Sequence, residues 1–220
     1  MPDAIAARPA RDDSVLTALH QERLEIVRDA LVASGARRVM DLGCGSGALL
    51  SLLLAEPRFE RILAMDASAT ALQVVRGEVL AGHADHARRV ELIHGSWTEA
   101  HTRCVGYQAA ALVETIEHLD PRDLSRMERT VFEAYQLGCI ILTTPNGDYN
   151  SVLGMAPGEK RDPDHRFEWP RARFRKWCRG IAGRNGYTVG FAGIGDEDPD
   201  HGTPTQMATF RKIQDRPSAA

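Results

Sequence analysis

Residues 38 to 66 hold the feature that most restricts how this chain can fold. A short apolar run ends in Asp41, passes through Leu42 into Gly43-Cys44-Gly45-Ser46-Gly47, and leads to the apolar stretch 48–55; a second run, 62–65, then ends in Asp66. The pattern predicts strand, glycine turn, helix and strand. Glycines at alternate positions let a ligand approach the backbone closely, at the positive end of the helix that follows. An acid at the tip of the second strand is placed to accept hydrogen bonds from both ribose hydroxyls of a bound nucleoside. Asp41, Gly43, Gly45, Gly47, Asp66 and Ser96 form the set expected to hold that ligand.

The alternation continues along the chain. A helix is expected from an N-cap at Ser14 to Gly35, and another over 68–81. Strands are expected at 90–94, 109–113 and 139–143, with a helix from Pro121 to about Gln136 between the last two. A closing helix near 171–183 and strands near 186–191 and 205–212 complete the order. Strand and helix in turn imply a doubly wound, mainly parallel sheet, whose ligands gather at the C-terminal strand ends. Residues 1–13 lack a sustained period and read as a disordered lead-in; 14–220 read as one domain.

Composition excludes several classes. A net charge of −3 gives no global sign of nucleic-acid binding, so such a partner would need a local basic patch. The run Lys160, Arg161, Arg166, Arg171, Arg173, Arg175, Lys176 and Arg179 could supply one, or could be a solvated helix face. The four cysteines, Cys44, Cys104, Cys139 and Cys178, lack paired short spacings and read as reduced thiols of a cytosolic protein. No run is long and apolar enough for a membrane span, so a cytoplasmic, monomeric protein with no membrane partner is expected.

The fourth expected strand delivers Val113-Glu114-Thr115-Ile116-Glu117-His118-Leu119. Wound into a helical turn, Glu114, Glu117 and His118 would stand at i, i+3 and i+4 on one face. Two carboxylates that close repel unless a proton or cation lies between them, which reads as an incomplete divalent metal site; a solvated Glu–His face is the alternative. The long irregular segment 147–169 can fold back over the same sheet edge and brings His165, which could be a further ligand or a bystander. Phe167 and Trp169 could stack on a base or pack in the core.

The glycine turn, with Asp41 before it and Asp66 after it, resembles the S-adenosylmethionine turn of class I methyltransferases. VETIEHLDP (113–121), TTPNGDYN (143–150), DPDHRFEWPRARF (162–174) and DPDHGTPTQMATF (198–210) together resemble the methyltransferase domain of the small-RNA 3′-terminal ribose 2′-O-methyltransferases of the HUA-enhancer type, particularly their bacterial RNA-repair branch. The resemblance implies a Rossmann-like, seven-stranded, mainly parallel fold with S-adenosylmethionine as cofactor. It also implies an RNA 3′ end as substrate and a divalent cation held by Glu114, Glu117, His118 and His165. Two imidazoles with two carboxylates suit Mn²⁺ or Co²⁺ better than Mg²⁺, and His118 or His165 could take the proton of the 2′-hydroxyl.

Two departures stand out. Where bacterial relatives carry two acids before the fourth strand, this chain has His101 and Gln108, which predicts an altered contact to cofactor or RNA. Nothing resembling the long N-terminal module of the bacterial proteins precedes Ser14, which leaves open a partnership with a repair kinase-phosphatase-ligase. A small-molecule O-methyltransferase and a non-catalytic binding protein on the same fold are the rival readings.

Overall fold

The structure, a computed structural model, describes residues 13–213. The expected lead-in, apart from Asp13, lies outside the described residues. In chain order the main elements are α1 (Asp13–Ala33), β1 (Arg38–Leu42), α2 (Ala48–Ala55), β2 (Arg61–Asp66), α3 (Ala69–Val74, prolonged by a π-helical turn Val75–Leu80), α4 (Ala84–Ala87), β3 (Val90–His94), β4 (Ala109–Val113), α5 (Leu124–Glu128, prolonged by a π-helical turn Arg129–Ala134), β5 (Cys139–Pro145), α6 (Arg171–Asn185), β6 (Tyr187–Ile194) and β7 (Thr205–Lys212).

The seven strands lie in the order β3-β2-β1-β4-β5-β7-β6. The first five run parallel, and β7 slots antiparallel between β5 and β6. Side chains that alternate along each strand feed two cores. Val39, Ile62 and Ile141 meet Leu24, Val27 and Leu31 of α1 and Leu49, Leu50 and Leu53 of α2. Met40, Leu42, Leu112 and Phe210 meet Phe132 after α5 and Phe174, Cys178 and Ile181 of α6. Each such fully buried Leu, Ile or Phe side chain contributes about 1.5–3 kcal/mol. The sheet is thereby covered on both faces, and its upper edge, where the parallel strands end, is left for chemistry.

The strands keep to their expected places within a few residues. The first helix opens at Asp13, one residue before the expected cap at Ser14. Ser68 does cap α3, its Oγ accepting from the Ala71 amide at 3.2 Å. All four cysteines are buried and unpaired. The departures at His101 and Gln108 prove to be local braces. Gln108 Oε1 accepts from the amides of Arg37 and Arg38, at 2.7 and 3.0 Å, at the strand starts and thus at the sheet edge opposite Asp41 and Asp66. His101 Nδ1 accepts from the Arg103 amide at the start of a short 3₁₀ turn.

Candidate functional site

The glycine turn is held open by backbone geometry. Gly43 has φ 84°, and a Cβ there would fall 2.5 Å from Thr115 Cγ2, so only glycine lets the turn lie against the Glu114–His118 segment. Asp66 fixes the turn from the next strand: its Oδ2 accepts from the Gly45 amide at 2.8 Å and its Oδ1 from the Ser68 amide at 2.7 Å. Asp41 lies behind the turn, 2 % exposed, with one carboxylate oxygen lacking a partner among the described residues. Burial, then the charge of Asp66, pushes its carboxyl up to about 7. Ser96 Oγ and Thr98 Oγ1 share a hydrogen bond of 2.7 Å beyond the tip of β3.

The segment after β4 does not form the expected α-helical turn. The Glu114 amide donates to Thr143 O, as though the sheet ladder continued, and its backbone then turns left-handed at φ 50°. A 3₁₀ turn spans only Ile116–His118, and Asp120, which precedes Pro121, is extended, a conformation that ends helical propagation. Glu114 therefore leaves the face it was expected to share. Its Oε2 lies 3.5 Å from Arg23 Nη2 of α1, and Arg23 is itself bonded to Thr205 Oγ1 at 2.9 Å.

Glu117, His118 and His165 converge instead, with one ligating atom from each lying within 4.8 Å of the others. The two imidazoles meet edge to face at 4.9 Å. Glu117 is fully buried; Thr144 Oγ1 donates to its Oε2 at 2.9 Å, and its Oε1 has no partner among the described residues. Burial, then the charge of Glu114, raises its carboxyl well above the carboxylate range, so Glu114 stands within electrostatic reach although it lies outside the group of three. Burial of the ring, then the neighbouring His165, lowers His118 below the usual histidine range.

His165 arrives on the expected loop, which docks when the Arg166 amide donates to Glu117 O at 2.6 Å. Its Nδ1 is 2.5 Å from Glu168 Oε1, which leaves Nε2 as the atom able to ligate. Burial pushes Glu168 upward, but hydrogen bonds from His165, Asn150 and the Arg161 amide outweigh it and hold the carboxyl below its ordinary value. The orphaned Glu117 oxygen beside two imidazoles fits a divalent cation of the Mn²⁺ or Co²⁺ kind.

The two sets of residues meet in one cavity of about 360 Å³, lined by Gly43, Gly45, Asp66 and Ser96 on one side and by Glu114 and His118 on the other. The basic run does not act as one surface. Lys160 and Arg161 bind backbone carbonyls of the loop and of neighbouring segments, and Arg171 is tied to Asp148. Arg166, Arg173, Arg175, Lys176 and Arg179 are exposed, and of these Arg173 lies over Trp169 and both Arg175 and Arg179 over Phe191. Phe167 and Trp169 stack on each other at 4.3 Å and are both buried, so they belong to the core and not to a base-stacking surface.

The family model described as a methyltransferase domain matches residues 39–137. The crystal structure of the methyltransferase domain of a bacterial Hen1 protein, CtHen1, superposes with a TM-score of 0.79 at 37 % identity, covering 88 % of this chain and 99 % of that one. This chain belongs to the Hen1 methyltransferase family. The small RNA methyltransferase HEN1 aligns with a TM-score of 0.83 at 29 % identity over 92 % of this chain and 27 % of its own. The small RNA 2′-O-methyltransferase of Rattus norvegicus is 33 % identical over 204 residues, which are 88 % of this chain and 51 % of the rat protein. The chain thus spans about half the length of that curated relative, and it has the S-adenosylmethionine-dependent methyltransferase fold. No helix among the described residues is long and apolar enough to cross a membrane.

The sequence assigns no role to Arg23, and none to Thr144 and Glu168, although the last two stand in the segments TTPNGDYN and DPDHRFEWPRARF that carry the resemblance. Glu168 could have been found, because it follows His165 by three residues in a turn-forming segment. Arg23 carries no local signal, and tertiary packing alone brings it to Glu114, as it brings Thr144 to Glu117.

Proposed function

We propose that this domain transfers a methyl group from S-adenosylmethionine to the 2′-hydroxyl of the 3′-terminal nucleotide of an RNA, at a divalent cation site. The observation that carries the reading is the shared cavity, which sets the nucleoside-holding residues Gly43, Gly45, Asp66 and Ser96 against Glu114 and His118. S-adenosylmethionine, when bound, supplies an electrophilic methyl on a sulfonium. A divalent cation, when bound, lowers the pKa of a hydroxyl it contacts, which a ribose hydroxyl needs near neutral pH.

The chain's own residues do the rest. Asp66 accepts from the ribose of the cofactor, with Asp41 and the glycine turn behind and below it. Glu117, His118 and His165, with Glu114 beside them, hold the cation. Thr144 orients the Glu117 carboxylate, and Glu168 fixes the ring of His165. His118, the imidazole exposed at the cavity and held toward its neutral form, accepts the 2′-proton in a state in which its ring does not ligate the cation. Paired capture of the 2′- and 3′-hydroxyls selects a chain terminus, because an internal nucleotide has its 3′-oxygen tied up in phosphate.

The test is chemical. RNA treated with the protein, S-adenosylmethionine and Mn²⁺ is expected to resist periodate oxidation and elimination, whereas the same strand with a 3′-phosphate or a terminal 2′-deoxyribose accepts no methyl. RNA that still shortens by one nucleotide, while small metabolites take up the label, would transfer the assignment to a small-molecule O-methyltransferase.

A further inference from the structure

Four basic residues stand in the segment that brings His165 to the cluster: Lys160, Arg161, Arg166 and Arg171. Three of them are committed to the protein itself. Lys160 Nζ donates to His165 O at 2.6 Å. Arg161 donates to Asn150 Oδ1, Pro204 O and Asn146 O at 2.8, 2.7 and 2.6 Å. Arg171 is held by Asp148 Oδ2 and Asp200 O at 3.1 and 2.6 Å. Arg166 is the exception: it is exposed, and its guanidinium has no hydrogen bond or ion pair among the described residues.

The free group stands on a fixed base. The Arg166 amide donates to Glu117 O at 2.6 Å. Its chain neighbours, His165 and Phe167, are both buried. The backbone is thus pinned one residue from His165 and one hydrogen bond from Glu117, two of the three residues that converge on the cation site. An arginine side chain loses much rotational freedom when it binds, and fixing its backbone in advance keeps that loss to the side chain alone.

Charge says what such a group meets. Behind it stand Glu117 and, within electrostatic reach, Glu114; Asp162 and Asp164 are exposed on the same loop. A polyanion that approaches these carboxylates needs a cation at the mouth, and Arg166 supplies one that no carboxylate of the described residues has claimed. A guanidinium presents paired N–H donors that match two oxygens of a phosphate. The hydroxyl proposed to meet the divalent cation and the phosphate on the 5′-carbon of the same ribose belong to one nucleotide. That phosphate is therefore the charge of the strand nearest to the cluster, and every other lies at least one nucleotide further away.

We propose that Arg166 holds the phosphodiester that joins the last two nucleotides of the RNA. The inference rests on the RNA reading above, and the test separates the two. Methyl-transfer kinetics with Mn²⁺ are measured on RNA strands in which one linkage, the last or the third from the end, is replaced by an uncharged methylphosphonate. Binding of the same strands is followed by fluorescence anisotropy with S-adenosylhomocysteine, so that no turnover enters. The neutral last linkage is expected to raise KM and Kd about tenfold with kcat nearly unchanged, and the third linkage to matter little. Arg166→Gln is expected to lose the same tenfold on unmodified RNA and to lower the slope of log Kd against log salt by about one. The two changes should not add: Arg166→Gln should treat the neutral and the charged last linkage alike. Arg166→Lys, which keeps the charge and loses the fork, should recover part of the affinity. A silent Arg166→Gln, or losses that add in full, on a protein that still requires the terminal 2′-hydroxyl, overturns the contact and leaves the RNA reading standing. A fall in Mn²⁺ or S-adenosylhomocysteine affinity in Arg166→Gln also overturns it, because the residue would then act by supporting the cluster. No methylation of the all-phosphate strand removes both.

Discussion

The nucleoside side of the upper edge is held by a continuous stretch, from Asp41 through the glycine turn and Asp66 to Ser96, and its contacts run mostly from backbone amides to carboxylates. The side proposed to hold a cation is made differently. Glu117 and His118 come from the end of β4, His165 comes from a loop beyond β5, and nearly every contact between them is carried by a side chain. The first arrangement follows from chain-local geometry and works wherever a strand, a glycine turn and a second strand pack together. The second depends on two segments distant in sequence meeting within a few ångströms, so it is the more easily broken, and its failure need not disturb the first.

Four experiments test that separation, in descending order of effect. The double variant Glu117→Ala, His165→Ala is expected to lose divalent metal in equilibrium dialysis and to lower methyl transfer by about 4 kcal/mol in activation terms, roughly a thousandfold. Its affinity for S-adenosylhomocysteine should be unchanged, and a parallel loss of both would mean that the two halves are one unit. Asp66→Ala is the mirror image: S-adenosylhomocysteine binding, by calorimetry, should weaken by ~1.5 to 3 kcal/mol, the range for a hydrogen bond to a charged group, with Mn²⁺ binding intact. Unaltered affinity in a folded Asp66→Ala protein would remove the strand-tip assignment.

A finer cut is made by Glu168→Gln, which keeps the shape of the side chain and removes the charge behind His165. Metal affinity is expected to fall about 10- to 100-fold, as for other carboxylates that orient a ligating histidine; an unchanged Kd would leave Glu168 a merely structural residue. The smallest effect concerns Asp41, whose folded carboxyl is raised from 3.8 to about 7 by burial and then by Asp66. The folded chain holds this proton more tightly than the unfolded one, so the cofactor-free protein loses stability as pH climbs from about 4 to about 7 and changes little above that. Asp41→Asn, which cannot ionise, should gain about 1–2 kcal/mol at pH 8 and nothing at pH 4 in urea unfolding. An equal gain at both pH values would show that the carboxylate's charge is not the cause.

How much of this could be read from the sequence follows the same division. Strand limits, the glycine turn and the acid at the tip of β2 are written in local periodicity, and β1, β3, β4 and β7 fall where the apolar runs place them. The Glu114–His118 segment was misread as an α-helical turn because spacing alone assumes a helix, whereas the ladder bond to Thr143 and the proline at 121 keep it from forming. For the aromatic pair Phe167 and Trp169 the sequence favours the core for at least one of the two and leaves base stacking open, and the packing against α6 places both in the core. The part played by Gln108 was hidden for a related reason: its role is to cap strand starts from a position next to β4 but far away in sequence from Arg37 and Arg38.

The late insertion of β7 between β5 and β6 has a consequence for the order in which the molecule can be completed. Arg161 donates to Pro204 O, and Asn146 Nδ2 donates to His201 O and Thr203 O, so the loop that carries His165 is fastened to the chain leading into the last strand. These pairings are long in sequence, and contacts of that kind close slowly because the intervening loop must be ordered first. During synthesis the strands around the glycine turn can pair while β7 is still unmade. A chain emerging from the ribosome can therefore build the glycine turn with Asp66 before it gathers Glu117, His118 and His165, which waits for the final strand to be threaded into the sheet.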